Sequence, residues 1–387
     1  MYLSRILHST IHRPHFSRHF SYFKITNQQE KHHDHQYFDG LNILKGPFAK
    51  VGSCVPGGFY YTDSNHIPEF FSYGTNLRRV SLPLNDPDLQ VVSDNNKWRS
   101  NKIILEEKYS LFDPATYKIF NSDITKNQYI VGQAFEMGNI DFLNWWKNSG
   151  LEIKYSDAVM DMASSRGLIN ILDWWKNSGL ELKYSHDAID DASRNGHIEV
   201  LHWWRHSGLE LKYCYAINYA SYNRHIDVLD WWLHSGLELK YDHHAVNFAS
   251  KDGHTDVLDW WKNSGLELKY TDDAIDTASK NNQIEMLNWW LHSGLELKYT
   301  DKSMNSASAA GHVHIPDSFL SNGLELKYTN NAIDEACRHG HLSVLKWFVS
   351  NRLQLKISER AIKLATLNDR TEILDYLKES DILNSLR

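Results

Sequence analysis

A chain of 387 residues with 42% hydrophobic content and a net charge of −7 has room for two or three domains of ordinary soluble composition. No apolar run approaches the roughly 20 residues that a membrane-crossing helix needs. Three cysteines, Cys54, Cys214 and Cys337, make an odd count without metal or redox spacing, which argues against a disulfide framework and for a reducing compartment.

Residues 1–29 hold no Asp or Glu and carry Arg5, Arg13, Arg18 and Lys24 among Ser, Thr and His. That composition fits a mitochondrial import signal, and Arg18-His19-Phe20-Ser21 resembles a presequence cleavage site. Pro14 interrupts the amphipathic helix such a signal uses, so residues 1–36 are expected to be a basic, disordered tail, with import as the alternative. His32, His33 and His35 are a potential metal-binding cluster. No second ligand cluster accompanies them, and a solvated linker with no metal is the expectation.

Residues 37–126 are expected to form a small α+β module. Gly57-Gly58-Phe59-Tyr60-Tyr61-Thr62-Asp63 is a turn feeding a short strand. His66 to Tyr73 is a short helix ended by Gly74. Leu77 to Leu82 alternates like a strand and stops at Pro83, and Leu89 to Val92 is another short strand. Lys97 to Leu105 ends in an apolar run that must be buried. Cys54 stands in a Gly-rich loop, where backbone N–H groups lower a thiol pKa. A nucleophilic Cys also needs a base, and His66 is the nearest. The spacing matches no catalytic motif, so no catalytic residue and no cofactor is expected, and an enzyme acting through Cys54 is the remote alternative.

From Asn127 the chain repeats. Trp-Trp recurs at 145/146, 174/175, 203/204, 231/232, 260/261 and 289/290, in steps of 29 residues with one of 28. The register continues through Ser318-Phe319, Trp347-Phe348 and Tyr376-Leu377, giving nine units over 127–387. A fixed period of this size means stacked supersecondary units. Each unit predicts a first helix (Asp187-Ala188-Ile189-Asp190-Asp191-Ala192-Ser193 in unit three), a Gly-His turn, a second helix (Ile198-Glu199-Val200-Leu201-His202-Trp203-Trp204) and an extended Leu-Glu-Leu-Lys-Tyr tail. Ser, Thr or Asp ahead of the first helix caps it. The Ala at 134, 163, 192, 220, 249, 278, 307, 336 and 365 marks the closest helix–helix approach. Helices this short are marginal alone, so stability must come from stacking. In unit seven Pro316 replaces Leu and Ser318 replaces the first Trp, which predicts a shortened or bent second helix there. Unit nine, with Asp369-Arg370-Thr371-Glu372, reads as the terminal cap.

Ala-Ser-x-x-Gly-His-Ile-Glu-Val-Leu-x-Trp-Trp-x-x-Ser-Gly resembles the ankyrin core. The family's Thr-Pro-Leu-His start is absent, with Asp187 to Asp190 in its place. A period of 29 against the usual 33 shortens the finger between units. The segments 57–63, 77–83 and 97–105 resemble, in the same order, the module preceding the repeats in ankyrin proteins of mimivirus-like giant viruses. The resemblance implies a mainly α, ankyrin-like solenoid of about nine helix-turn-helix repeats behind the small module, and a viral protein acting in host cytoplasm.

Charge divides unevenly: residues 1–126 carry 15 Lys and Arg against 12 Asp and Glu, or +3, which leaves −10 for 127–387. An acidic array disfavours nucleic acid. The expected function is a non-enzymatic scaffold binding a protein partner, with no membrane and no small-molecule substrate. A mitochondrially imported structural repeat protein is the alternative. The second Trp of each pair falls on the core face. The first, Trp145, Trp174, Trp203, Trp231, Trp260 and Trp289, either packs between units or forms a row of partner-binding anchors. His206, His234 and His292 share one repeat position and are expected to be solvated. Glu and Lys of the tails are expected to form columns that offset each other at the surface.

Overall fold

The computed structural model describes residues 21–32, 34–52, 55–120 and 123–380. They form two units, 1–155 and 156–387. The import-signal residues 1–20, His33 and Cys54 lie outside the described residues.

The first unit is built on a seven-stranded antiparallel sheet. Its strands are drawn from β1 (Tyr22–Thr26), β4 (Gly40–Ile43), β5 (Phe59–Asp63), β6 (Asn76–Ser81), β7 (Val91–Asp94), β8 (Lys97–Ser100) and β9 (Lys102–Ser110), in the order β4-β9-β6-β1-β5-β8-β7. A separate hairpin joins β2 (Lys31–His32) to β3 (His35–Gln36). The expected turn and strand at 57–63, the helix ended by Gly74 (a 3-10 helix, Ile67–Tyr73) and the strands near 77–82 and 97–105 are all present. The tail boundary is corrected. Tyr22 to Thr26 is a central strand that pairs with both β5 and β6 and buries Phe23, Lys24 and Thr26. Basic composition hid it, because Lys24 points inward.

One face of the sheet packs Tyr37, Phe59, Tyr61, Val80, Ile103 and Leu105 together. The other sets Phe23 against Phe120 and Phe71 against Tyr117, ring to ring. The helices of repeat unit one, Gln128–Glu136 and Ile140–Asn148, follow in this same unit, with Asn127 and Asn139 as side-chain caps.

The second unit holds eight helix pairs, from Ala158–Ser165 with Ile169–Asn177 to Glu359–Leu367 with Thr371–Glu379. The registered Ala is fully buried in every unit, as its role in close approach demands. Thr300, Thr329 and Ser358 accept a hydrogen bond from the N–H two residues ahead and so cap their own first helices. Gly196 takes the left-handed conformation at φ 78°. A Cβ there would also meet the His225 ring of the next unit at 2.8 Å, so glycine answers two demands. Where the turn lacks Gly, Arg224, Asn282 and Asp369 carry the positive φ. The Leu-Glu-Leu-Lys-Tyr tails form no helix and join no sheet.

Unit seven departs modestly. Its second helix, His314–Ser321, has eight residues where Ile198–His206 has nine. Pro316 lies in the first turn, where its missing N–H is one the helix leaves unbonded anyway. The larger consequence lies at Phe319. In units three to six the second indole donates to the Ser of the preceding unit: Trp204 to Ser164, Trp232 to Ser193, Trp261 to Ser221 and Trp290 to Ser250. Phe319 and Phe348 have no N–H, and the next two of these serines, Ser279 and Ser308, are left buried without a partner among the described residues. A void of about 10 Å³ also lies beside Phe319. Phe319→Trp should therefore stabilise the array by about 1 kcal/mol by giving Ser279 its donor. Urea unfolding checks this: the gain must disappear in a Ser279→Ala background.

Candidate functional site

The first helices of units two to nine stack side by side, and one position on them ties each of units two to eight to the next. Asp161, Asp190, Asn218, Asn247, Asp276 and Asp334 are buried on the first helices of their units. Asp161 accepts from Ser185 N and Oγ, and Asp276 from Thr300 N and Oγ1. Asp334 accepts in the same way from Ser358. Asn218 and Asn247 exchange a reciprocal pair of bonds with Asp242 and Thr271. Asn305 does the same with Thr329. Burial holds the Asp161 and Asp190 carboxyls above their ordinary pKa, against the hydrogen bonds that favour ionisation. This column rigidifies the stack and frees the outer side of the same helices for other uses.

That outer side changes character at units four and five. One position before the registered Ala, units three and six carry Asp191 and Thr277, while units four and five carry Tyr219 and Phe248. Tyr215 is 49% exposed, Phe248 40% and Tyr222 37%. Tyr222 meets Phe248 at 5.6 Å between ring centroids, and Tyr215 meets Tyr219 at 5.9 Å. The Arg194 guanidinium lies 3.8 Å over the Tyr219 ring, and His244 sits 5.2 Å from Phe248. Sequence reasoning passed over this patch because the Trp pairs outweigh it in the aromatic count. Comparing the position before Ala across units would have found it.

The two Trp rows separate cleanly. The second Trp is at most 1% exposed in all six pairs. In the first row Trp174 is buried and the other five are half-buried. Trp203, Trp260 and Trp289 donate to Asp173, Asp230 and Asp259 of the preceding second helix at 2.6–2.7 Å. Trp231 reaches His202 Nδ1 at 3.3 Å. Each of these four thus ties one second helix to its predecessor and leaves part of the indole in solvent.

The tails add a third tie. Tyr184 packs at a tilt against Trp204 of the next unit at 4.7 Å between ring centroids, and its hydroxyl donates to the Glu210 carbonyl. Lys212 lies 4.6 Å over the same Tyr ring. The motif recurs at Tyr213, Tyr241, Tyr270, Tyr299 and Tyr328, with Lys240, Lys269, Lys298, Lys327 and Lys356 above them. The tail lysines therefore cover aromatic rings as well as balancing the Glu column. A Lys ammonium on a Tyr face contributes about 0.5–1 kcal/mol at an exposed site.

His206, His234 and His292 are exposed, each donating Nδ1–H to a carbonyl of its own helix. Cys214, exposed one residue before the Tyr215 cap of the unit-four first helix, comes together with His186 and Asp190, their ligand atoms within 4.8 Å of one another. Residues 28 apart across a unit boundary form no local motif, so sequence spacing does not reveal this grouping. Asp190 there accepts from Cys214 N and Tyr215 N and so performs the same inter-unit bonding as its counterparts. Burial pushes the Cys337 thiol up to about 12, with Asp334 nearby adding to the effect. His66, weighed as a base for Cys54, is bonded to Asp63 at 2.8 Å.

Among the described residues no helix is long and apolar enough to cross a membrane. No family model matches the chain. An ankyrin repeat protein of Acanthamoeba polyphaga mimivirus is 35% identical over 158 residues, 37% of this chain and 47% of that protein. A second from the same virus is 37% identical over 137 residues, 34% of this chain and 63% of that protein. The chain thus spans about half the length of the curated relatives it matches. The crystal structure of the human ASB11 ankyrin repeat domain aligns with 49% of this chain and 96% of its own, at 13% identity and a TM-score of 0.39. With its registered helix pairs and left-handed turns, the chain carries ankyrin-like repeats and is similar to the ankyrin repeat proteins of the mimivirus.

Proposed function

We propose that this chain is a non-catalytic scaffold that binds a protein partner on the outer side of its first helices, centred on Tyr215, Tyr219, Tyr222 and Phe248. The observation that carries the reading is the aromatic patch at units four and five, where neighbouring units are polar. Tyr and Arg are favoured anchors at interfaces because they bury large area at small entropic cost. The surrounding array is acidic, which favours a partner with basic residues around an apolar anchor. A viral origin makes a host protein in the cytoplasm the natural partner. The half-exposed row of Trp145, Trp203, Trp231, Trp260 and Trp289, with Trp174, is the rival contact.

Affinity capture from host-cell extract, with the full chain as bait, tests this. The triple variant Tyr215→Ser, Tyr222→Ser, Phe248→Ser should keep its stability and lose the captured partner, each anchor contributing about tenfold or more. Unchanged capture by that variant, with loss on Trp203→Phe, would transfer the contact to the Trp row. A partner retained by both variants would remove the array from the reading.

A further inference from the structure

The sheet of the first unit borders a cleft of about 750 Å³, within the size range of small-molecule sites. Its walls include Tyr37, Phe59, Tyr60 and Tyr61, and its cations are Lys24, Lys31, Lys45 and Lys97. Asp34 is the one carboxylate among the described residues lining it. The cleft is therefore both aromatic and cationic.

Lys24 is the anomaly. It is only 8% exposed on a central strand. Its ammonium donates to the Tyr60 carbonyl at 3.0 Å and lies 4.8 Å over the Tyr37 ring. An ammonium has three donors, and among the described residues no carboxylate is bonded to this one. Burial pushes its pKa down to about 8, so most of it is still charged at neutral pH. The same sheet holds a second buried cation, Arg99, which pairs with Tyr60 across β5 and β8. Arg99 is fully buried and donates to Tyr60 Oη and to the Gly52 carbonyl, while its Nε and Nη2 have no partner among the described residues. Folds rarely bury a cation without an anion, because the lost hydration must be replaced. Arg78 in the same sheet shows the usual solution, with Asp39 and Glu30 against it.

We infer that the cleft is a binding site for a small aromatic anion, whose carboxylate, sulfonate or phosphate group pairs with Lys24 while its ring lies along the wall formed by Tyr37, Phe59 and the His35 imidazole packed against them. The site is independent of the repeat surface and of any partner bound there. Its ligand class follows from the lining: a planar ring for the aromatic walls, and a negative group for the buried ammonium. Lys31 and Lys45 are exposed at its edge and attract the anion from solution.

The test is a fluorescence titration of the full chain with 8-anilinonaphthalene-1-sulfonate, an aromatic sulfonate. One saturable site is expected, weakened about tenfold or more in Lys24→Met, with the circular dichroism spectrum unchanged. Phenyl phosphate should displace the dye about tenfold more effectively than phenol or inorganic phosphate alone. If Lys24→Met does not fold, the surface variant Lys31→Glu, Lys45→Glu decides, and it should weaken the dye about fivefold at low salt. Equal dye affinity in the native chain and the variant that folds would overturn the proposal. So would phenol displacing as well as phenyl phosphate, which would leave an apolar cleft only.

Discussion

Trp204→Ala should destabilise the repeat array by about 3–5 kcal/mol, the cost of truncating a large aromatic in a packed interior. Trp204 is 1% exposed and fills the space between its own two helices and their neighbours. Three further losses follow from its position. Ser164 Oγ loses a donor at 2.9 Å in a buried site. Tyr184 loses the ring on which it rests at 4.7 Å, and with it the footing for Lys212. Trp203 loses its edge-on neighbour at 5.1 Å. Trp203→Ala, by contrast, removes a half-buried ring and one bond to Asp173, and should cost about 1–2 kcal/mol. Because solenoid stability is a sum of unit and interface terms, the damage should be local. Native-state hydrogen exchange should show protection falling in units two to four and little changed in units seven to nine. Equal cost for the two tryptophans would mean that the first row is as much core as the second.

The same residues explain how far the sequence could be read. The 29-residue period, the buried Ala and the core face of the second Trp were legible because they are local and repeated, the Ala nine times and the Trp six. The expected side-chain cap ahead of the first helix holds for Thr300, Thr329 and Ser358, while the first helices of units three to six start without one. Three features were not legible. The aspartates of Asp-Ala-Ile-Asp look like exposed helix-start acids, yet Asp190 and Asp276 are buried because their partners lie 24 residues on, in the next unit. Strand β1 carries a lysine and lies in a basic stretch, so composition assigned it to a tail. Only the pairing of Tyr22 to Thr26 with β5 and β6 reveals it as central. The aromatic patch at units four and five is a departure from the repeat, and a consensus reading averages departures away. Periodicity thus exposes what the units share, while the candidate contact sits where they differ.

Asp276→Ala should cost about 2–4 kcal/mol, since a buried acceptor is removed and its donors are stranded. The carboxylate is 3% exposed and accepts from Thr300 N at 3.0 Å, from Thr300 Oγ1 at 2.5 Å and from the buried Ser303 hydroxyl. Alanine leaves all three unpaired at the start of the unit-seven first helix. That unit already lacks the second indole and the first Trp, so it has little reserve. Asp276→Asn is the informative control. Asn occupies this position in units four, five and seven, where Asn218, Asn247 and Asn305 accept through Oδ1 and donate through Nδ2. An amide at 276 keeps the backbone acceptor and turns its N–H₂ toward the Thr300 hydroxyl, so it should cost about 1 kcal/mol or less. Urea unfolding combined with amide exchange over residues 300–309 separates the two. If Ala and Asn were equally tolerated, the buried column would be packing alone, and the stiffness of the first-helix face would have to come from the alanine contacts and the tails. If Ala alone opens unit seven, the column is the element that holds the first helices in register, and so the element that holds the aromatic patch of units four and five as one rigid surface.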